Sequence, residues 1–392
     1  MPTEPKQQVI TEIDQRTNQL WQISTALFNQ PETAFKEFHA CQILTQVLEA
    51  SGFKVEQPIG GLETAFRATL GQGSGPLIAI LAEYDALVGL GHACGHNLIA
   101  SAAVGAGLGL AALTPRFEGQ VQVIGTPAEE GGGGKIILAK AGIFDGIEAA
   151  MMFHPASKNM VLRRSLASSK LKLEFIGKAA HAAAAPEEGI NALDAMILAF
   201  NNINALRPTF GPKDRVTGII AHGGEASNII PAYTSADFSI RALSGQRREI
   251  LVEKVLDCAR AGALSIGCEL NYIVTPGYRE ILPNKVLARL FTANLEQLGR
   301  KIVEPSLNER MGSTDMGDVS QLVPAIHPYL AIAPETIAGH TVEFREYSIS
   351  EAGKSAMLDA AKAMAMTALD LLNDPRLLAD AKLELEAAIN QG

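Results

Sequence analysis

Leu171-Lys172-Leu173-Glu174-Phe175-Ile176 alternates apolar and charged side chains over its first five residues, the period of a half-buried strand. Working outward, Asn191–Leu206 reads as an amphipathic helix, and Val216–Ala221 and Ser235–Ala242 read as strands. A helix at about Glu249–Ser265 and a strand at Glu269–Val274 follow. The order β-α-β-β-α-β is that of a ferredoxin-like unit of roughly 110 residues, complete in itself. The pattern changes around Arg163–Ser169, so the expected organisation is an inserted domain at 168–280. The interrupted domain then comprises 1–167 and 281–392.

The flanks predict an α/β domain with a mixed sheet flanked by helices. Short apolar runs at Phe66–Leu70, Leu77–Leu81, Val121–Gly125 and Ala149–Phe153 suit buried strands. The first fifty residues read as two helices. Leu20, Ile23 and Leu27 lie on one, the Asn29-Gln30-Pro31-Glu32 break ends it, and the second runs from about Ala34 to a C′ glycine at Gly52. A closing helix is expected at Glu351–Leu372, with Met357, Ala361, Met364, Ala368 and Leu372 inward. Ser348 and Glu351 have capping-box spacing at its start.

At 392 residues, more than one domain is expected, and 47% hydrophobic residues provide a real core. The formal charge of −9 argues against a nucleic-acid partner, because phosphate backbones select basic surfaces. Met1 to Ile10 lacks the apolar stretch of a secretory signal. The nearly uncharged run Leu98 to Thr114 is shorter than the roughly 20 residues of a membrane span and reads as a buried core helix. Cys41, Cys94, Cys258 and Cys268 form no CxxC pair, which suits a reduced, cytoplasmic protein with no membrane partner.

Chemistry concentrates at a few places. Gly91-His92-Ala93-Cys94-Gly95-His96-Asn97 brings a thiol and an imidazole together across a glycine, either as ligands of a zinc-like ion or as a plain turn with a buried cysteine. Asp85, just before it, could orient a ligand imidazole or cap a turn. Gly125-Thr126-Pro127-Ala128-Glu129-Glu130-Gly131 places two carboxylates on a glycine-rich turn where both can face one centre. That suits metal-assisted hydrolysis, with one carboxylate on the ion and one taking a proton from water. A phosphate loop is excluded, since Glu129 stands where the Walker pattern needs glycine and Ile136 where it needs Ser or Thr. His154 follows an apolar strand and His340 an apolar turn. Cys94, His96, Glu130, His154 and His340 together are enough donors for two adjacent ions.

Six motifs in consistent order resemble the M20 family of metallopeptidases and amidohydrolases. They are Glu83-Tyr84-Asp85-Ala86-Leu87, His92–Asn97, Pro127–Lys135, Gly177-Lys178-Ala179-Ala180-His181, Asn228-Ile229-Ile230-Pro231 and Gly312-Ser313-Thr314-Asp315-Met316-Gly317. Within it they are most similar to the branch of aminoacylase-1-like and p-aminobenzoyl-glutamate hydrolase proteins. The resemblance implies a two-segment catalytic domain and a ferredoxin-like lid that pairs two subunits as a homodimer. It implies Cys94, His96, Glu130, His154 and His340 as ligands of one or two divalent ions, zinc foremost, then manganese or cobalt. Glu129 would be the general base, and Asp85, orienting a ligand imidazole, counts with it among the catalytic residues. His181 would polarise the scissile carbonyl across the dimer, and Asn228 and Arg241 would hold the substrate's carboxylate or nearby polar groups. The implied reaction is hydrolysis of an amide in a small dipeptide or N-acyl amino acid. Asn97, where many relatives carry Asp, and Ala182 to Ala185, where many have Ser after the histidine, depart from the wider pattern.

Two other readings stay open on sequence alone. A thiol hydrolase built on Cys94 would leave Glu129, Glu130, His154 and His340 without a role. A non-catalytic or regulatory subunit with the same fold would have no use for a base at Glu129.

Overall fold

The computed structural model describes residues 2–73, 75–306 and 309–391. Met1 and Gly392, the ends of the expected catalytic segments, lie outside them. Two compact units emerge. The first takes Met1–Arg164, Ile281–Arg310 and Thr314–Gln391; the second takes Ser165–Glu280 with Met311–Ser313.

The first unit is organised by Leu77–Ala82, whose sequence Leu-Ile-Ala-Ile-Leu-Ala has no polar face. Such a strand must be covered on both sides and flanked by others. It runs parallel to Gly119–Gly125 on one side and Ala149–Met151 on the other. The six-stranded sheet has the order Lys54–Glu56, Phe66–Gln72, Gly119–Gly125, Leu77–Ala82, Ala149–Met151, Ala325–Ile326, with the first two strands antiparallel to their neighbours. Ile78, Ile80 and Leu81 are wholly buried, each worth about 1.5–3 kcal/mol against exposure. The helix His96–Ala111 is buried at all but its last position and packs against Thr17–Asn29 and Glu351–Asn373. The parallel strands end toward Glu83, Thr126 and Met152, the sheet edge where α/β proteins build their sites.

The second unit is an antiparallel sheet in the order Glu269–Pro276, Ala167–Ile176, Tyr233–Ala242, Arg215–His222. Its helices Ala192–Leu206 and Gly245–Ile266 share a core with the buried face of the sheet, including Leu171, Leu173 and Phe175. Chain order and sheet order are those of the ferredoxin-like βαββαβ unit, so the mixed α/β fold with an insert is as expected.

Local differences have identifiable causes. The first fifty residues hold three helices, Glu4–Gln15, Thr17–Asn29 and Phe38–Ala50, because Arg16 leaves helical geometry between the first two. The third starts at Phe38 rather than Ala34, since Phe35 is left-handed with φ 63°. The cap of the long closing helix is Ser350, whose hydroxyl accepts the Gly353 N–H, and not Ser348. Ser348 instead donates its hydroxyl back to the Arg345 carbonyl at the end of the short helix Val342–Tyr347. A further helix, Pro375–Gln391, is not expected from the sequence pattern. Among the described residues no helix is long and apolar enough to cross a membrane.

Candidate metal centre

Four separate stretches of the first unit converge. Cys94 lies on the turn before the helix His96–Ala111, with Gly95 at φ 78° and its α-carbon against the Pro155 ring, where a β-carbon would come within 2.8 Å. Only glycine suits both the angle and the gap, and this turn lets Cys94 and His96 face one point. Cys94 Sγ is 3.4 Å from His154 Nε2, and His96 Nε2 is 3.9 Å from Glu130 Oε1. His340 Nε2 is 3.5 Å from the same Glu130 oxygen. Three triads have donor atoms within 4.8 Å of one another: Cys94, His96 and His154; Cys94, Glu130 and His340; and His96, Glu129 and Glu130. All five expected donors are therefore together, with Cys94 common to two triads.

Electrostatics show what the cluster lacks. Among the described residues, His96 Nε2, Glu83 Oε2 and Glu130 Oε1 are buried with no hydrogen-bond partner, and each such atom costs about 1–3 kcal/mol unless something meets it. Burial pushes the Cys94 thiol up. Burial, with Glu83 and Asp315 nearby, pushes Glu129 well above the carboxylate range. Burial and His96 press His154 down to about 3. Burial opposes protonation of His96, but Cys94 and Asp85 outweigh it and carry that imidazole up. A cluster of acceptors short of positive charge, with soft and borderline donors, fits a divalent cation.

The surroundings fix the donors. Asp85 Oδ1 is 3.0 Å from His96 Nδ1, and its Oδ2 accepts the Glu130 N–H at 2.8 Å. His154 Nδ1 is 2.7 Å from the Pro155 carbonyl. His340, itself at φ 63°, donates its N–H to the Ala93 carbonyl at 2.9 Å. Below lies a buried ion cluster that sequence reasoning leaves unassigned: Lys135 Nζ bonds Glu83 and Asp315, and the Lys135 N–H also goes to Asp315. Its three residues stand in three of the quoted motifs, but no spacing in the sequence says that they meet.

The mouse protein called Xaa-Arg dipeptidase is 40% identical over 403 residues, covering 98% of this chain and 93% of its own. One of the Escherichia coli p-aminobenzoyl-glutamate hydrolase polypeptides is 30% identical over 440 residues, with 92% of this chain and 91% of that protein covered. This chain belongs to the M20 peptidase family. Residues 162–266 of the M20 chain match the model described as a peptidase dimerisation domain. Two crystal structures illustrate its fold. A putative aminohydrolase from methicillin-resistant Staphylococcus aureus has a TM-score of 0.82 at 20% identity, covering 94% of this chain and 100% of that one. A protein of Bacillus subtilis described as a dinuclear metal binding peptidase from the M20 family has a TM-score of 0.73 at 18% identity, covering 92% and 99%. Like its relatives, the M20 chain is a hydrolase.

In the inserted unit of this M20 chain, His181 is exposed and bridges Ile229, and Ala182 N–H reaches the Asn228 carbonyl at 3.0 Å. Its Nδ1 accepts the amides of Ala183 and Ala184 at 3.2 and 3.1 Å. That leaves the proton on Nε2, which points a donor outward. Arg241 pairs with Ser168 and Arg215 in the sheet. His222 lies 3.4 Å from Glu225. His327 is buried, its ring centroid 5.3 Å from that of His154.

Proposed function

We propose that the chain cleaves the amide bond of a small substrate with a free carboxylate, a dipeptide or an N-acyl amino acid, using Glu129 to carry the proton. What supports this most is the second buried carboxylate beside a complete donor set: Glu129 lies with His96 and Glu130 around one point. Cys94, His96, Glu130, His154 and His340 would hold one or two divalent ions. The dinuclear Bacillus subtilis relative favours two, and the thiol and imidazole donors favour zinc over manganese or cobalt. Ions there would supply Lewis acidity to the amide carbonyl and to the attacking water.

The rest falls to the chain. Glu129 accepts the proton of the attacking water and returns it to the leaving amine. His181, its Nε2 proton free, donates to the developing oxyanion, a contact whose loss costs about 10²–10³ in rate. We assign it to the neighbouring subunit of a homodimer paired through the inserted unit, consistent with the dimerisation model. Asn228 and Arg241 hold the substrate's carboxylate. The names of the mouse and human relatives, Xaa-Arg dipeptidase, and a formal charge of −9 favour a cationic C-terminal residue. A thiol nucleophile at Cys94 is disfavoured, because it would leave the carboxylate and imidazole donors gathered around it without a role.

The test is a panel of dipeptides and N-acyl amino acids offered to chelated protein reloaded with zinc, manganese or cobalt. Cleavage that disappears on chelation and returns with metal, fastest for dipeptides ending in Arg or Lys, is expected. Turnover that survives chelation overturns the reading.

A further inference from the structure

Among the described residues three non-glycines have positive φ: Phe35 at 63°, Ala128 at 64° and His340 at 63°. For an alanine this conformation costs about 1–2 kcal/mol, so something must hold it. Phe35 and Ala128 are 93 positions apart, yet one atom serves both. Glu37 Oε1 accepts the Phe35 N–H at 3.0 Å and the Ala128 N–H at 3.0 Å. Its Oε2 accepts the Thr64 hydroxyl at 2.9 Å, and the residue is 0% exposed. The carbonyl of Ala128 accepts the amides of Gly132 and Gly133 at 2.9 and 2.8 Å, closing the turn that carries Glu129. The Phe35 ring lies over Gly132, where a β-carbon would come within 2.3 Å of it. Both ends of the turn are thus held by one short segment.

Two other carboxylates grip the same loop further along. Asp85 takes the Glu130 N–H and Asp315 the Lys135 N–H. The three anchors divide the loop, and the grip on Ala128 is the one next to Glu129. We propose that Glu37 is a positioning residue for Glu129, clamping the strained peptide before the base while Asp85 independently fixes the ligand Glu130. The proposal rests on the reading of Glu129 as the proton carrier. It separates turnover from metal binding: loss of the clamp displaces the base and leaves Glu130 anchored. A displacement of about 1 Å costs on the order of 10²-fold in rate.

Glu37→Ala should lower kcat 10- to 100-fold on the dipeptide cleaved fastest in the panel, with KM and bound metal within twofold of the parent. Glu37→Gln keeps an oxygen for both amides and a donor for Thr64, so kcat should stay within threefold. Hydrogen exchange in the metal-loaded protein reads the clamp without substrate: peptides covering 126–135 should exchange at least tenfold faster in Glu37→Ala and unchanged in Glu129→Gln. Should Glu37→Ala not fold, Thr64→Val, which removes only the hydroxyl aiming the carboxylate, takes its place with a three- to tenfold loss of kcat. Unchanged exchange, unchanged kcat, metal lost in step with activity, or Glu37→Gln as impaired as Glu37→Ala each overturns the proposal. An active Glu129→Gln protein instead overturns the reading of the base and leaves the exchange result standing.

Discussion

Asp85 turns His96 toward the other donors from behind: its Oδ1 sits 3.0 Å from His96 Nδ1, leaving Nε2 to face Glu83 and Glu130. The main-chain carbonyl of Asp85 lies 2.9 Å from the same nitrogen, so the ring is held by two contacts from one residue. Such partners behind a ligand histidine set its tautomer and orientation. Asp85→Ala should lower metal affinity 10- to 100-fold by equilibrium dialysis. An unaltered affinity would mean that the main-chain carbonyl at position 85 and the helix orient His96 without the carboxylate.

Glu129 and Glu130 are adjacent in sequence and should separate cleanly in function. Glu129→Gln should reduce kcat by about 10²–10⁴, because an amide cannot take the proton, with bound metal near the parent value. Glu130→Gln should lose metal. Elemental analysis showing the opposite assignment exchanges the two roles.

Lys135 is fully buried between Glu83 and Asp315. Lys135→Met leaves two carboxylates facing each other without a cation and should destabilise the protein by about 3–5 kcal/mol in urea denaturation. Adding Glu83→Gln and Asp315→Asn should recover most of that loss. If the single change is tolerated within about 1 kcal/mol, the cluster is hydrated and not a buried charge pair.

Glu37 carries a pH signature. Burial raises its carboxyl from 4.5 to about 7. The folded state then binds the proton more tightly than the unfolded one, so its contribution to stability falls as pH rises from about 4.5 to 7 and is level beyond. The size is about 3 kcal/mol. Metal-free parent should lose stability across that window relative to Glu37→Gln, measured by denaturation at pH 5, 6, 7 and 8. Parallel profiles would show that the group is ionised throughout.

Mixing Glu129→Gln protein with His181→Ala protein should restore part of the activity once subunits exchange. Each mixed dimer holds one site with both residues and one with neither. A mixture as inactive as its parents, with exchange verified by tagged subunits, places His181 in its own subunit's chemistry or in none.

Much of the fold was legible because its signals are local. Leu77–Leu81 has no polar side, so it had to be interior, and the alternation through Leu171–Phe175 announces one wet face and one dry one. The candidate donors were legible by chemical type, since Cys and His near glycine turns are few among 392 residues. The holders of the site were not. Glu37 looks in sequence like any surface charge, and although Glu83, Lys135 and Asp315 stand in three of the quoted motifs, nothing local says that they meet: Lys135 reaches its partner 180 positions away. The start of the helix at Phe38 escaped for the same reason: a carboxylate turned inward at Glu37 and a left-handed Phe35 answer to Ala128, far along the chain.

The sheet strand Ala325–Ile326 lies beside Ala149–Met151, although about 170 residues of chain separate them. On the ribosome, at about 5–20 residues per second, the edge at Ala149–Met151 therefore waits roughly 10–35 s for its neighbour. For most of that interval Lys135 and Glu83 have been made and Asp315 has not, while the whole of Ala167–Pro276 emerges and can fold around its own core. The nascent protein consequently passes through a stage with an open sheet edge and an unfinished buried charge cluster, and truncation before Asp315 would freeze it there as an aggregation-prone species.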